Sequence, residues 1–259
     1  MRSGDVDMLL ILEGNPVYDT PADHEFADAM SRIPYRIHLG PYYDETAELC
    51  HWHINQAHEL ESWGDIRAFD GTVSFQQPLI EPLYAGKTPH EMLSVCLGKP
   101  TRGSYDIIRD HWKQTASVAN FEKYWEIALH DGVVEDTAFE TVTPILQSGW
   151  TTHLPSSAAD SDGTEILFRP DPHIFDGRFS NNGWLQELSK PLTRLTWENA
   201  ALMGPSDAAR LGLENGDVVE IKNGERSVQA PIWKLPGQAP GTVTVHLGYG
   251  RTHSGKVGN

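Results

Sequence analysis

The spacing of hydrophobic and polar residues differs between the two halves of this chain. In the first half, apolar residues recur with the 3.6-residue period of amphipathic helices, between short apolar runs that are typical of buried strands. Beyond about residue 163 they alternate with a period of two, which indicates strands with one buried face. The pattern predicts an α/β (Rossmann-like) domain at residues 1–155, a linker at 156–177 and a β-barrel-like domain at 178–259.

The first 40 residues predict a strand–helix–strand unit. The run Met8–Leu12 is typical of a buried strand, and a Gly-Asn-Pro turn at residues 14–16 ends it. Thr20 is predicted to cap a helix with Pro21 at its first position, and residues 35–39 form the next strand. Because a helix joins the two strands, we expect them to be parallel and to end at one edge of a sheet.

Residues 50–82 contain three histidines and several acids but no 3.6-residue apolar stripe, so most of this stretch is predicted to be a loop. Loops of this length inside a compact chain usually have a function. The stretch follows the second strand, which places it along the carboxyl edge of the sheet. Open α/β sheets bind their ligands at that edge.

Three amphipathic helices are predicted within residues 88–132, as a layer over the sheet with aromatic side chains in the core. A capping box at residues 88–91 opens the first helix, the second spans about residues 105–113, and the third runs from Asn120 to Gly132. The first helix is expected to bury four side chains: Met92, Leu93, Cys96 and Leu97.

The second half predicts four strands, at Glu165–Arg169 and at residues 218–221, 227–233 and 242–247. An Asn-Gly pair at residues 223–224 is a two-residue hairpin signal between two of these strands. A short helix at residues 206–211 is predicted to be capped by Ser206 and to end at Gly212. A polar segment at residues 156–163 separates this half from the helices.

Charge and cysteine content exclude several partners and cofactors. A net charge of −16 repels phosphate backbones, so we expect no nucleic-acid partner. The longest apolar run, Met8–Leu12, is far shorter than the roughly 20 residues of a membrane span, and no signal peptide is recognised. The two cysteines, Cys50 and Cys96, are too few for the four thiolates of an iron–sulfur cluster, so none is expected in this segment.

The histidine-rich stretch allows two other chemistries. A zinc site would need three or four nitrogen and sulfur ligands, for which the spacing here is not finger-like. Its candidate ligands are Cys50, His51, His53, His58 and Glu61. Paired carboxylates for acid–base catalysis would come from Glu59, Glu61 and Asp65. The simpler interpretation is that the histidines bind loop backbone, and the family resemblance given next implies that the acids fold the loop. No nucleophile elbow marks a Ser–His–Asp triad.

Several segments, in order along the chain, resemble the carboxyl-terminal half of a molybdopterin oxidoreductase large subunit. They are GDVDMLLILEGNPVYDTPAD, RIHLGPYYDETAELCHWH, HELESWGDIRAFDGTVSFQQPLIEPLY, NGWLQELSKPLTRLTWENAALMGPSDAARLGLENGDVVEIKNG and PGQAPGTVTVHLGYGR. More narrowly, the chain resembles the large subunit of alternative complex III, the TAT-variant-translocated molybdopterin oxidoreductase group. The likeness covers nearly everything except the linker.

This resemblance implies a molybdopterin-type parallel α/β domain followed by a double-psi β-barrel that binds molybdopterin dinucleotide. It implies molybdenum bis(pterin guanine dinucleotide) as the cofactor of loaded relatives. Residues implied to line the cofactor crevice are Gly14, Asn15, Pro16, Glu45, Thr46, His58, Asp65, Asn199 and Arg251. The metal-ligating residue of the family lies in a region that this sequence does not contain. We therefore assign no catalytic residue and no metal ligand.

In the alternative complex III group this half keeps the fold but lacks the molybdenum cofactor. The resemblance then implies a structural segment of a quinol-oxidising respiratory complex, on the periplasmic side of the membrane. Its partners would be the remainder of its own chain, including an iron–sulfur domain, and membrane quinol-oxidising subunits. The alternative is the pterin-binding half of an active molybdenum oxidoreductase. The abrupt first strand and the last residues suggest a fragment at both ends.

The crevice interpretation makes a geometric prediction. The turn at residues 14–16, the loop at 45–46 and the segment 58–65 should converge on one concave face, which the barrel closes with Asn199 and Arg251. In a cofactor-free subunit, Arg251 should pair with a loop carboxylate. Glu61 and Asp65 are the candidates.

Overall fold

The computed structural model describes residues 1–153 and 163–258. The chain is mixed α/β and divides into two compact units, Met1–Leu146 and Gln147–Asn259. The predicted polar segment at residues 156–163 lies, except for Gly163, outside the described residues. The predicted domain boundaries stay predictions.

A three-stranded parallel sheet opens the first unit. It consists of β1 (Met8–Leu12), β2 (Tyr35–Gly40) and β3 (Trp52–Asn55), in that spatial order. Met8 pairs with Tyr35, so both predicted strands and their parallel arrangement are confirmed. The central strand, β2, is buried towards its carboxyl end, which is the edge that the loops cover.

Short helices, and not the single predicted helix, connect these strands. They are α1 (Pro16–Asp19), a 3₁₀ turn (Ala22–His24), α2 (Phe26–Ser31) and, after β2, α3 (Glu45–Glu48). The predicted cap at Thr20 is wrong, because Glu25 has a left-handed φ of +46° and interrupts the helix before Phe26. The apolar residues of α2 still reach the core, where Ala29 and Met30 are almost completely buried.

Residues 50–82 are about half loop, and the prediction missed three strands in this stretch. The stretch contains β3, a 3₁₀ turn at Glu59–Glu61, β4 (Gly64–Arg67) and β5 (Val73–Gln76). Its polarity misled the prediction because β3 lies at the edge of its sheet, where Trp52 remains exposed and polar residues are tolerated.

A second, antiparallel sheet carries the helical layer. Its order is β4–β5–β6, where β6 is Val133–Val134. The helices are α4 (Pro89–Cys96), α5 (Ser104–Thr115) and α6 (Phe121–Asp131). Phe75 of β5 contacts Trp112 and Trp125 edge to face, with ring centroids 5.4 and 4.7 Å away. The predicted aromatic core is confirmed, but α5 and α6 pack on this sheet and not on the parallel one.

Helix α4 begins as predicted, but the side chains that it buries differ from those predicted. The hydroxyl of Thr88 accepts from the backbone N–H of Glu91, and the Glu91 carboxylate accepts from the backbone N–H of Thr88. Ser94 is the buried residue of the helix, while Leu93 and Leu97 are exposed. The expected burial of the apolar face is therefore wrong.

The second unit contains a five-stranded mixed sheet in the order β7–β11–β8–β10–β9. The strands are β7 (Glu165–Arg169), β8 (Ala201–Met203), β9 (Val218–Asn223), β10 (Arg226–Lys234) and β11 (Thr242–His246). Asn223 pairs with Arg226 across the predicted hairpin, which is confirmed. The four predicted strands are all present, and β8 was missed because it has only three residues.

Two helices and one 3₁₀ turn complete this unit: Trp150–His153, α7 (Gly183–Glu187) and α8 (Pro205–Leu211). Helix α8 ends at Gly212 as predicted, but its N-cap is Gly204 and not Ser206. Proline fits the first helical position, so the helix starts one residue before the expected cap. Of the described helices, none is both long and apolar enough to cross a membrane.

Candidate functional site

Asn15, Glu45 and Thr46 form a closed set of hydrogen bonds at the carboxyl edge of the parallel sheet. The Asn15 amide donates from Nδ2 to Glu45 Oε2 at 2.7 Å, and its Oδ1 accepts from Thr46 Oγ1 at 2.6 Å. The backbone N–H of Thr46 also donates to Asn15 Oδ1, and Val17 N–H donates to the Thr46 hydroxyl. The turn after β1 is thereby tied to the loop after β2. The convergence of both with residues 58–65 on a cofactor crevice stays a prediction.

Asp44 fixes that second loop. Its Oδ1 accepts from the backbone N–H groups of Thr46 at 3.1 Å and Ala47 at 2.9 Å, which makes Asp44 the N-cap of α3. Aspartate is a favoured N-cap because its oxygen satisfies N–H groups that have no partner within the helix. The Asp-Glu-Thr order in the sequence could have indicated this cap.

A buried histidine, His38, and a half-buried one, His53, lie beneath these loops. His38 Nε2 is 3.1 Å from the carbonyl of Gly14, and its Nδ1 is 3.2 Å from Nδ1 of His53. A carbonyl only accepts, so His38 donates from Nε2 and, with both rings neutral, accepts at Nδ1 from His53. Burial lowers the pKa of His53, and the neighbouring His38 lowers it further. His53 therefore favours the uncharged form.

Gly40 allows this packing. A Cβ at Gly40 would lie 2.5 Å from Cε1 of the completely buried His38 ring. Glycine is thus required there by the neighbouring ring, and not by an unusual φ.

The other histidines of the 50–82 stretch bind backbone, as predicted. His58 Nδ1 accepts from Leu60 N–H, and Glu61 accepts from the N–H groups of His58 and Leu83. His51 Nδ1 accepts from the backbone of Arg36. Burial raises the pKa of Cys50 to about 11, so the thiol stays protonated. These separate partners argue against the zinc alternative, and the described residues contain no group of three or more potential ligands suited to a metal.

Asp65 has a partner in the aromatic core. It lies on β4, and its Oδ2 accepts from the indole Nε1 of Trp112 at 2.7 Å. Its placement in a cofactor crevice, together with that of His58, stays a prediction.

In the second unit, a buried cluster joins Lys190, Asp171 and Tyr249. Lys190 Nζ donates to Tyr249 Oη at 2.6 Å and to the Glu198 carbonyl at 2.7 Å, and lies 3.3 Å from Asp171 Oδ2. Tyr249 donates to the same carboxylate at 3.0 Å. Burial alone would raise the pKa of Asp171, but hydrogen bonds from backbone N–H groups and the Lys190 charge lower it. Burial and Asp171 raise the pKa of Tyr249.

This cluster adjoins a cavity of about 190 Å³ within the second unit. Its polar lining residues are Arg169, Lys190, Thr193, Gln238, Thr244 and His246. None of the described residues that line it is an aspartate or a glutamate. Burial lowers the pKa of His246, so its ring favours the neutral state.

Asn199 and Arg251 also belong to this unit. Asn199 Nδ2 donates to the carbonyl of His246 at 2.7 Å, which places it behind a residue of the cavity wall. Arg251 donates to the carbonyls of Gly177 at 2.7 Å and His253 at 3.1 Å. The predicted pairing of Arg251 with a loop carboxylate stays a prediction.

The residues described in the two units meet only some of the requirements for binding a molybdopterin dinucleotide. The described lining of the cavity offers cationic and hydroxyl groups of the kind that bind phosphate or pterin, although the charge of Lys190 is balanced by Asp171. Its volume is below the roughly 300–1,000 Å³ of ordinary ligand pockets, so it is too small for the whole molecule. In the first unit, Asn15 and Thr46 are already hydrogen-bonded to each other.

The sequence did not identify His38, Asp44 or the cluster of Lys190, Asp171 and Tyr249 as candidate functional residues. His38 sits on a predicted strand, where a histidine gives no signal of its partner. The Lys190 cluster could not be found from spacing, because Tyr249 and Asp171 lie 78 positions apart.

Comparison with known proteins agrees with this geometry. Residues 179–259 match the family model described as "Molydopterin dinucleotide binding domain". The chain is 24% identical over 275 residues to the "Menaquinone reductase, molybdopterin-binding-like subunit" of Nitratidesulfovibrio vulgaris, covering 94% of this chain and 36% of that protein.

The fold is similar to that of acetylene hydratase from Pelobacter acetylenicus, with a TM-score of 0.67 at 14% identity over 93% of this chain and 37% of that one. The chain thus spans little more than a third of the length of these relatives. The resemblance to molybdopterin oxidoreductases that the sequence indicated is confirmed, with a molybdopterin dinucleotide-binding domain at residues 179–259.

Proposed function

We propose that this chain is the carboxyl-side part of a molybdopterin oxidoreductase-like large subunit in a quinol-oxidising complex of the alternative complex III type. In this role it is a structural segment without a redox centre of its own. Support comes from its likeness to a subunit of a menaquinone reductase. The second unit would be a double-psi barrel, and the boundaries at residues 155 and 178 would separate the domains.

The observation that carries the structural role is the set of hydrogen bonds at Asn15. Its Oδ1 accepts twice from Thr46, and its amide donates to Glu45. Groups that would contact a guanine dinucleotide in loaded relatives therefore bind one another. The loops hold their shape through protein contacts.

The alternative is the pterin-binding half of an active molybdenum oxidoreductase, with a bis(pterin guanine dinucleotide) cofactor. The cavity without acidic lining residues favours it. The turn at residues 14–16 with Glu45, Thr46, His58 and Asp65 would then hold the dinucleotide. Asn199 and Arg251 would face pterin. The cofactor, when bound, would supply the redox chemistry, and these residues would bind and orient it.

The partners and location follow the same proposal. The subunit would assemble with an iron–sulfur domain of its own chain and with membrane quinol-oxidising subunits, on the periplasmic side. The acidic surface disfavours nucleic acid.

Molybdenum analysis and pterin fluorescence on the protein as it is made in the cell test the proposal. The structural role predicts molybdenum and pterin far below one equivalent per chain. Stoichiometric molybdenum contradicts it and supports the alternative. In that case the N15A variant should lose pterin, while the N120A variant, which alters a helix cap, serves as the matched control.

A further inference from the structure

The cavity of the second unit contrasts in charge with the rest of the chain. The chain has a net charge of −16, yet the described residues that line the cavity include Arg169 and Lys190 and no acid. A cleft lined by one sign of charge concentrates ions of the opposite sign. The cavity is therefore suited to an anion.

Lys190 is not free to bind that anion. An ammonium group has three N–H donors. Those of Lys190 are directed to Tyr249 Oη, to the Glu198 carbonyl and to the Asp171 carboxylate, at 2.6, 2.7 and 3.3 Å. Its charge is balanced by Asp171, whose side chain is completely buried. Lys190 therefore supports the wall and has no donor left for a ligand.

Arg169 has the available donors. It ends β7 and is exposed, and no carboxylate of the described part of the chain forms an ion pair with it. A guanidinium offers a planar fork of N–H groups that matches the oxygens of phosphate. Thr193 adds a hydroxyl at the same cavity, where it accepts from Leu195 N–H and keeps its own hydrogen for donation.

The size of the cavity limits the ligand. Its volume of about 190 Å³ lies below the roughly 300–1,000 Å³ of ordinary ligand pockets. A single tetrahedral oxyanion fits this space, and a whole dinucleotide does not.

We infer that this cavity binds a small oxyanion of the phosphate class, with Arg169 as its charged anchor and Thr193 as a hydroxyl donor. This inference goes beyond the proposed function, because the site needs no pterin. Arg169 lies outside residues 179–259, which match the dinucleotide-binding family. Lys190 acts as a positioning residue.

Isothermal titration of the 259-residue chain with inorganic phosphate, at pH 8 and low salt, tests the inference. R169Q should weaken binding at least about tenfold, because it removes a charge-assisted hydrogen-bonding pair. R226Q removes the same charge from an exposed residue of β10 and should stay within about twofold of the wild type. T193V should weaken binding less than R169Q does.

Two results would overturn the inference: a wild-type chain that does not bind phosphate, or an R169Q variant that binds it as tightly as the wild type. Equal losses in R169Q and R226Q would also overturn it, since they would indicate non-specific attraction. These outcomes are independent of molybdenum and pterin content. Failure of the anion site is therefore distinguishable from failure of the proposed function.

Discussion

The side-chain amide of Asn15 donates to the carboxylate of Glu45 at 2.7 Å, across 30 positions of sequence. This bond joins the loops that follow β1 and β2. Because Asn15 is buried, its loss should leave the hydrogen of the Thr46 hydroxyl without an acceptor, while the Thr46 N–H keeps Asp44 as its partner.

N15A should therefore lower the free energy of unfolding by about 1–3 kcal/mol, the usual cost of unsatisfied buried groups. E45Q keeps an acceptor for the amide and should cost less than about 1 kcal/mol. Urea denaturation followed by tryptophan fluorescence measures both. Equal stability of N15A and the wild type would contradict the structural role of this bond.

Stability should fall as the solution becomes acidic from neutral pH. The pKa of folded His53 is lowered by burial, whereas an unfolded histidine titrates near about 6.5. Between these values the unfolded chain binds more protons, so stability is present above that range and is lost as pH falls through it. His246, whose pKa is also lowered by burial, adds to the effect.

H53N should reduce this pH dependence, since its amide can still donate to His38 while it does not titrate. H90N changes an exposed histidine of α4 and should keep the wild-type slope. Denaturant titrations at several pH values between 5 and 8 provide the measurement. A slope in H53N as steep as that of the wild type would rule out His53 as a source.

Asp65 should matter for folding through Trp112. D65A leaves the buried indole N–H without its acceptor and should cost roughly 1–3 kcal/mol. D65N keeps an acceptor oxygen and should cost about half of that or less. Thermal or chemical unfolding distinguishes the two. If D65A is as stable as D65N, the hydrogen bond contributes nothing measurable.

Lys190 and Asp171 should be strongly coupled. K190M leaves a buried carboxylate without its cation and should cost about 3–5 kcal/mol. The double variant K190M/D171N removes both charges and should be more stable than the sum of the single losses predicts. A double-mutant cycle from urea unfolding measures the coupling. Strict additivity would show that the two charges do not interact.

The sequence predicted local structure well where the spacing of hydrophobic residues and a turn signal indicated the same element. Met8–Leu12 and the hairpin after Asn223 are examples, because their geometry depends on neighbouring residues. It failed at β3, where His53 pairs with His38 of another strand and its polarity suggested a loop. It failed again at α4, since an apolar stripe does not reveal whether a neighbour covers it.

Some residues of the candidate site were likewise predicted from the sequence, and others were revealed only by the structure. Asn15, Glu45 and Thr46 were named through resemblance, and the structure joins them. Lys190, Asp171 and Tyr249 come from three separate segments, so only folding reveals their contacts. The cationic lining of the cavity was likewise not apparent from the acidic composition, because net charge is an average over the whole surface.

The parallel pairing of β7 with β11 has a consequence for synthesis. The first strand of the second unit finds its partner only in the last strand. Chains emerge from the ribosome at about 5–20 residues per second, amino end first. The apolar side chains of β7, such as Ile166 and Phe168, therefore lack the neighbouring strand β11 for several seconds during synthesis. During this interval the nascent chain would present an unpaired strand edge to chaperones, or to other copies of itself.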